Sequence, residues 1–314
     1  MIGAKRPSER LETLRDKTEI LDFLVESGFD LDDSVRTQVG PVETTGVLLV
    51  GSVAEGYQNQ ASDVDILYLT YSPRQDLPPC PELFLEAGSS LESLIYRGGI
   101  EVNTEVIAFD AYASLAASFS RLVDGLSDGG QLDRVALYDE YALRLLHRLR
   151  TGMVLQGEDV VSRFRTDFRV DALPLYLSVH YLVDARESLE DARKSSRSTP
   201  GLVEYICRLI VETCLLALGA ARGFTSPTRR HLLSWLEASV TGSDDADVML
   251  RRMRDSLLNQ RPLTPGEKSV AIAECERYYA HTEEVLRSDP LTSGVIDQVF
   301  AQISYADTDA VVSG

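Results

Sequence analysis

Two acidic residues, Asp63 and Asp65, open the apolar run DVDILYLT at Asp63–Thr70. A strand turns alternate residues to alternate faces, so these two carboxylates point the same way. Held as near neighbours they repel unless something positive sits between them, and hard oxygen ligands suit a magnesium ion. Ten residues separate Asp63 from Ser52 in the pair Gly51-Ser52, which closes the apolar run Val47–Val50. Glycine lets a backbone approach a ligand closely, and a helix N-terminus offers free N–H groups to phosphate oxygens. The Ser52 hydroxyl adds one more donor. Together these parts could bind a magnesium–triphosphate and orient it, with two metal ions stabilising the attacking and leaving oxygens of an in-line displacement.

The elements that must position these residues are legible from pattern. Leu11–Val25 reads as an amphipathic helix ended by Gly28, and Val47–Val50 as a buried strand. Asp63–Thr70 is a second strand. After a proline-rich loop (Pro73, Pro78, Pro79, Pro81) comes a helical stretch over Glu82–Ile95, and Gly98-Gly99 then lead into a third strand, Ile100–Phe109. On that strand Glu101, Asn103 and Glu105 share one face, so parity does not separate the two glutamates as a third acid. Ala111–Leu122 is again helical, and the polar, glycine-bearing Ser127–Gln131 marks a domain boundary. Everything beyond reads as helix: Asp133–Arg150, Leu173–Lys194, Leu202–Arg222, Thr228–Val240, Asp247–Leu258 and Pro265–Arg287, the last with a capping box at Thr264 and Glu267. Ala306–Gly314 lacks apolar periodicity and reads as a mobile tail.

The arrangement strand, Gly51-Ser52, ten residues, Asp63-Val64-Asp65 resembles the signature of the DNA polymerase β-like nucleotidyltransferase superfamily. A compact N-terminal domain followed by a helical one is similar to the bacterial antibiotic (aminoglycoside) nucleotidyltransferases. The close resemblance covers Val47–Leu69, with a looser match through Phe109. It implies that Gly51 and Ser52 cradle the β- and γ-phosphates and that Asp63 and Asp65 hold two magnesium ions. A third acid on a neighbouring strand completes the metal site or serves as base, and Glu105, mid-strand ahead of Val106-Ile107, is favoured over Glu101. Relatives often carry a basic residue at a helix start that reaches toward the triphosphate, which makes Arg229 and Arg230 candidates. The lysine more often found there is missing, and a capped surface helix explains the same residues.

The chain has 314 residues and a formal net charge of -18, with 44% hydrophobic residues. This is ordinary globular composition for about two domains. Such an acidic surface repels polyanions, which disfavours a nucleic-acid partner and favours a small or cationic acceptor. The residues up to Glu12 offer no apolar signal-peptide core and no window reaches membrane-spanning length, so a cytoplasmic protein without a membrane partner is expected. Cys80, Cys207, Cys214 and Cys275 show no CxxC spacing and read as reduced core thiols, and the four histidines show no zinc spacing.

Other polar groups have structural explanations. Arg144, His147, Arg148 and Arg150 complement a helix C-terminus. Glu204, Arg208 and Glu212 form either an ion-paired stripe or a cleft-facing one with Arg208 on phosphate. Asp184, Glu187 and Asp191 are either a solvated helix face or the wall of a pocket for an aminosugar.

The expectation is therefore an α+β protein: a nucleotidyltransferase domain with a small mixed sheet over 1–128, a helical bundle over 129–305 closing the acceptor cleft, and a tail over 306–314. Its activity would be transfer of a nucleoside monophosphate, AMP from ATP, to a hydroxyl of a small-molecule acceptor such as an aminoglycoside, releasing pyrophosphate. The alternatives are transfer to a protein, a tRNA end or a second nucleotide, or a degenerate nucleotide-binding sensor or antitoxin. Base preference, acceptor and oligomeric state are not written in the residues.

Overall fold

The computed structural model describes residues 14, 16–59, 62–73, 85–87, 90–97, 100–128, 140–227, 230–240, 242, 245–259, 262–290 and 292–301. The fold is α+β. Its sheet is built from β1 (Thr45–Val50), β2 (Val64–Thr70), β3 (Leu85–Ala87), β4 (Ser90–Arg97), β5 (Ile100–Ala108) and β6 (Met153–Gln156), in the order β3-β4-β5-β2-β1-β6. Strands β2 and β5 run parallel at the centre, and the other neighbours are antiparallel.

Two expectations are corrected here. Glu82–Ile95 was expected to be helical, yet its described residues form β3 and β4. The free edge of β5 decides this. Pairing Leu91 with Val106 and Ile95 with Val102 gives that edge its backbone partners, and a few apolar residues at helical spacing do not outweigh an unpaired ladder. Likewise, not everything past residue 131 is helix. Strand β6 pairs with the outer edge of β1 through Met153, Val154 and Gln156, with an irregularity at Leu155. Gly157, at φ 65, turns the chain out of β6, and a Cβ there would overlap the Thr45 carbonyl oxygen.

Both sheet faces are covered. Val47, Leu49, Val64, Ile66, Tyr68, Val102 and Val106 form one face, packed with residues of α1 (Lys17–Glu26) and α2 (Leu31–Gln38), among them Ile20, Phe23, Leu24 and Val35. Helix α1 starts at Asp16, whose carboxylate accepts the Glu19 N–H at 3.0 Å, and α2 starts at Asp30 in the same way. Two side-chain bonds tie α2 to this face: Tyr68 hydroxyl to Ser34 Oγ, and Thr104 hydroxyl to Gln38 Oε1, both 2.8 Å. The opposite face carries Val50, Asp65, Asn103 and Glu105. Helices α5 (Glu140–Thr151) and α6 (Glu158–Asp167) lie on it, bringing buried Leu146, Leu149, Val161 and Phe164.

The chain divides into two compact units, Met1–Ser120 with Glu140–Asp171, and Arg121–Asp139 with Ala172–Gly314. The expected boundary at 128 is thus too simple. The division falls inside α4 (Phe109–Asp128), and the chain returns to the sheet through α5, β6 and α6 before leaving it.

The second unit consists, in its described residues, of helices: α7 (Leu173–Lys194), α8 (Pro200–Ala221), α9 (Arg230–Ser239), α10 (Asp245–Leu258), α11 (Lys268–Arg287) and a helical run over 292–301. Helix α8 is its axis, with Val203, Ile210, Val211, Cys214, Leu215 and Leu218 buried against α7, α10 and α11. Prolines sit in the first turns of α7 and α8, where the missing N–H would have had no helical partner. Glu267 caps the approach to α11 by accepting both the amide and the hydroxyl of Thr264, although the helix itself begins at Lys268. The proposed tail over 306–314 lies outside the described residues.

Candidate functional site

The register puts the sequence motif together. Val50, the last residue of β1, pairs with Asp65, and on its other side Asp65 stands level with Asn103 of the parallel strand β5. The chain therefore turns at Gly51 immediately beside the Asp65 carboxylate. Gly51 has φ 72, a conformation that L side chains rarely adopt, and a Cβ there would overlap Asp65 Oδ2. Glycine is required twice over: for the turn and for the close approach. A five-residue helix follows, α3 (Gly51–Glu55), with Ser52 half-buried in its first turn and Val53 anchored in the core.

Asn103 ties the two aspartates. Its Nδ2 donates to Asp63 Oδ2 at 2.7 Å and to Asp65 Oδ1 at 3.2 Å, so an amide nitrogen occupies the place between the two carboxylates. Burial pushes the Asp65 carboxyl above the ordinary carboxylate range, and repulsion from Asp63 adds to it. Arg148 and the Asn103 bond pull the other way, and Glu105 contributes a smaller repulsion. This is a site short of positive charge.

Glu105 is 8% exposed and faces the same side of the sheet as Asp65, one pair of residues further along β5 from Asn103. Both its oxygens are engaged. Oε1 accepts the Tyr141 hydroxyl at 2.5 Å and Oε2 accepts Arg148 at 2.7 Å. Tyr112 hydroxyl lies 2.8 Å from that of Tyr141, extending the chain of bonds to α4. One residue earlier on α5, buried His147 reaches Glu55 of α3 at 3.1 Å. Helix α5 thus grips both the turn that carries Gly51-Ser52 and the strand that carries Glu105. Glu101 lies further along the same face of β5, opposite Tyr96 and beyond the first β2–β5 pair, Val64 and Val102.

Of the residues singled out by sequence, the fold brings Gly51, Ser52, Asp63, Asp65 and Glu105 to one region of one sheet face. Of the basic pair, Arg229 lies outside the described residues, and Arg230 is the first residue of α9, in the second unit. Arg148 supplies a cation on this sheet face. Its patch was explained as a complement to a helix C-terminus; Arg148 does lie in the last turn of α5, and it also pairs with the buried Glu105. Asn103 carried a signal, since it shared a face with the two glutamates. Tyr141 and His147 carried none, because nothing local marks which strand a helix 40 to 90 residues away will meet.

Among the described residues, no group of three or more His, Cys, Asp or Glu side chains gathers so as to hold a metal ion. The donors that fit a cation are the pair Asp63 and Asp65. Paired carboxylates are hard oxygen donors of the kind a magnesium ion takes. Elsewhere, Glu204 accepts the Leu263 amide at 3.2 Å, so that stripe member is committed within the helical unit, and Arg208 is exposed. Glu187 on α7 is raised by burial first and then by Asp184, Glu190 and Asp191. No helix among the described residues is long and apolar enough to cross a membrane.

No protein-family profile matches the chain, and no curated protein matches it in sequence. Among solved structures, a nucleotidyltransferase-like protein from Exiguobacterium sibiricum aligns with 85% of this chain and 86% of its own, at 12% identity and a TM-score of 0.43. A likeness at that level says nothing of activity or substrate.

Proposed function

We propose that this protein is a magnesium-dependent nucleotidyltransferase of the polymerase β-like type, transferring AMP from ATP to a hydroxyl of a small cationic acceptor. One observation carries the reading. Asp63 and Asp65 converge beside the Gly51 turn, with Asn103 Nδ2 standing between them and the Asp65 carboxyl raised by burial and by its neighbour. A buried carboxylate beside a second one is a place where a bound cation would be favoured.

In this reading Asp63 and Asp65 hold the metal, and the Gly51 backbone and Ser52 hydroxyl face the triphosphate. A bound magnesium ion supplies charge neutralisation and polarises the phosphoryl oxygens. Arg148, oriented by Glu105, places a guanidinium on the same sheet face, where it offsets charge beside Asp65. Glu105 as third acid would accept the acceptor's proton or hold a second ion, and either role requires it to exchange its bond to Tyr141 or to Arg148. The acidic net charge of -18 favours a cationic acceptor.

One feature favours a second reading, a nucleotide binder that does not transfer: the residue level with Asp65 on β5 is an amide, Asn103, and not an acid.

The test is thermal stabilisation by ATP, GTP, CTP and UTP, each with and without magnesium, on the wild type and the Asp63→Asn/Asp65→Asn variant, with pyrophosphate release followed across a panel of amine-bearing alcohols. At a hundredfold excess over Kd, binding adds about 2.7 kcal/mol. Stabilisation by ATP that requires magnesium and vanishes in the variant is expected, together with acceptor-dependent pyrophosphate. Stabilisation without turnover selects the second reading. A nucleotide shift of the same size in the variant, or none with any nucleotide, refutes the site.

A further inference from the structure

The helical unit contains a cavity of about 570 Å³ that is far in sequence from the aspartate pair. Val211 and Leu263 give it apolar walls, Ser256 and Tyr278 line it with hydroxyls, and two of its lining residues are cysteines, Cys207 of α8 and Cys275 of α11. The two helices pack side by side, and the Cys275 thiol reaches the Cys207 carbonyl oxygen at 3.6 Å. Both residues are buried yet open onto the cavity, with exposures of 8% and 3%. The third described cysteine, Cys214, sits two turns further along α8. It is fully buried, does not line the cavity, and its thiol is pushed up to about 12 by burial.

The pairing makes the two sulfurs unequal. The Cys275 side chain beside it lowers the Cys207 pKa below the ordinary thiol value, against the effect of burial. The neighbouring Cys207 thiol, with burial, pushes Cys275 the other way, toward its protonated form. A thiolate attacks, and a neighbouring thiol resolves.

We propose that Cys207 and Cys275 form an oxidisable dithiol that a small peroxide, entering through the cavity, converts to a disulfide joining α8 to α11. In the first step the Cys207 thiolate attacks one peroxide oxygen. The O–O bond breaks, and hydroxide leaves with the electron pair as the sulfenic acid forms. In the second step the Cys275 sulfur attacks the sulfenic sulfur, the S–O bond breaks, and the departing hydroxide takes the thiol proton as water. With hydrogen peroxide the balance is two thiols and one peroxide in, one disulfide and two waters out. The sulfurs are oxidised and the peroxide oxygens reduced. The bond closes a loop spanning 68 residues, which restricts the unfolded chain and raises Tm by several degrees.

The experiment treats the full-length reduced protein with hydrogen peroxide, counts free thiols after denaturation, and maps non-reduced peptides by mass spectrometry. The expected result is a loss of two thiols, a linked peptide pair containing Cys207 and Cys275 that is two hydrogens lighter than the separate peptides, and an unchanged chain mass on a non-reducing gel. Cys214→Ser should keep that linkage, whereas Cys207→Ser and Cys275→Ser should each abolish it. In Cys275→Ser, where no resolving thiol remains, Cys207 should be trapped as a sulfenic acid by dimedone. Retention of all thiols under conditions that oxidise free cysteine overturns the proposal. So does linkage through Cys80 or Cys214, or oxidation of Cys207 to sulfinic acid in the wild type with Cys275 intact. The wild-type measurement stands even if a variant folds poorly.

Discussion

Gly51→Ala isolates the close approach on which the candidate site depends. At φ 72 an alanine carries the left-handed penalty of about 1–2 kcal/mol whatever surrounds it. The new Cβ would also overlap Asp65 Oδ2, and displacing a packed group of this kind costs about 1–3 kcal/mol. The single variant should therefore lose about 2–5 kcal/mol. In a unit of roughly 150 residues each kcal/mol is about 2–4 °C in Tm, so the drop should reach about 4 °C or more. The decisive comparison is a double-mutant cycle with Asp65→Ala. Without the carboxylate only the backbone penalty remains, so Gly51→Ala should cost about 1–2 kcal/mol in that background, giving a coupling of about 1–3 kcal/mol. Urea unfolding of the four proteins, without divalent ions, measures it. An equal cost in both backgrounds would mean that Asp65 does not lie against Gly51, and the geometry of the site would fall with it.

Three further outcomes are expected. Because the folded Asp65 carboxyl titrates above its unfolded value of about 3.9, the native state holds more protons in that window. Wild-type stability measured against Asp65→Asn, without divalent ions, should accordingly fall as pH rises from the unfolded to the folded pKa and stay low above it; a flat or rising difference in denaturant midpoints refutes the assignment. Arg148→Ala should cost about 1–3 kcal/mol by leaving buried Glu105 Oε2 without its cation, and adding Glu105→Gln should recover part of it; a double variant no better than the single would deny the pair. Gly157→Ala should cost about 2 kcal/mol or more, from φ 65 and overlap with the Thr45 carbonyl, with hydrogen exchange in β6 rising before that of β2; unchanged exchange in β6 would count against the tight turn.

The chemistry-bearing segment was legible in the residues because its logic is local. Val47–Val50 is apolar enough to be buried on both faces, Gly51 can adopt the turn, and the period of two sets Asp63 and Asp65 on one side. The long helices were legible for the same reason: Leu173–Lys194 matches α7 end to end, and the periodic stretches around Leu202–Arg222 and Asp247–Leu258 match α8 and α10 within two residues.

Where local pattern was weak, tertiary structure decided. The described residues of Glu82–Ile95 became strand because β5 had an edge to fill, and Met153–Gln156 became strand because β1 had one. Both are long-range backbone pairings that a short window of sequence does not contain. The surroundings of the aspartates were decided in the same way. Parity allowed Glu101 and Glu105 equally, and only the register of β2 against β5 put Asn103 level with Asp65. Only the return of the chain through α5 gave Glu105 to Arg148 and Tyr141. A carboxylate is chosen by sequence, but its charge balance is set by whichever cation the fold delivers to it, and that delivery is a property of packing over 40 residues or more.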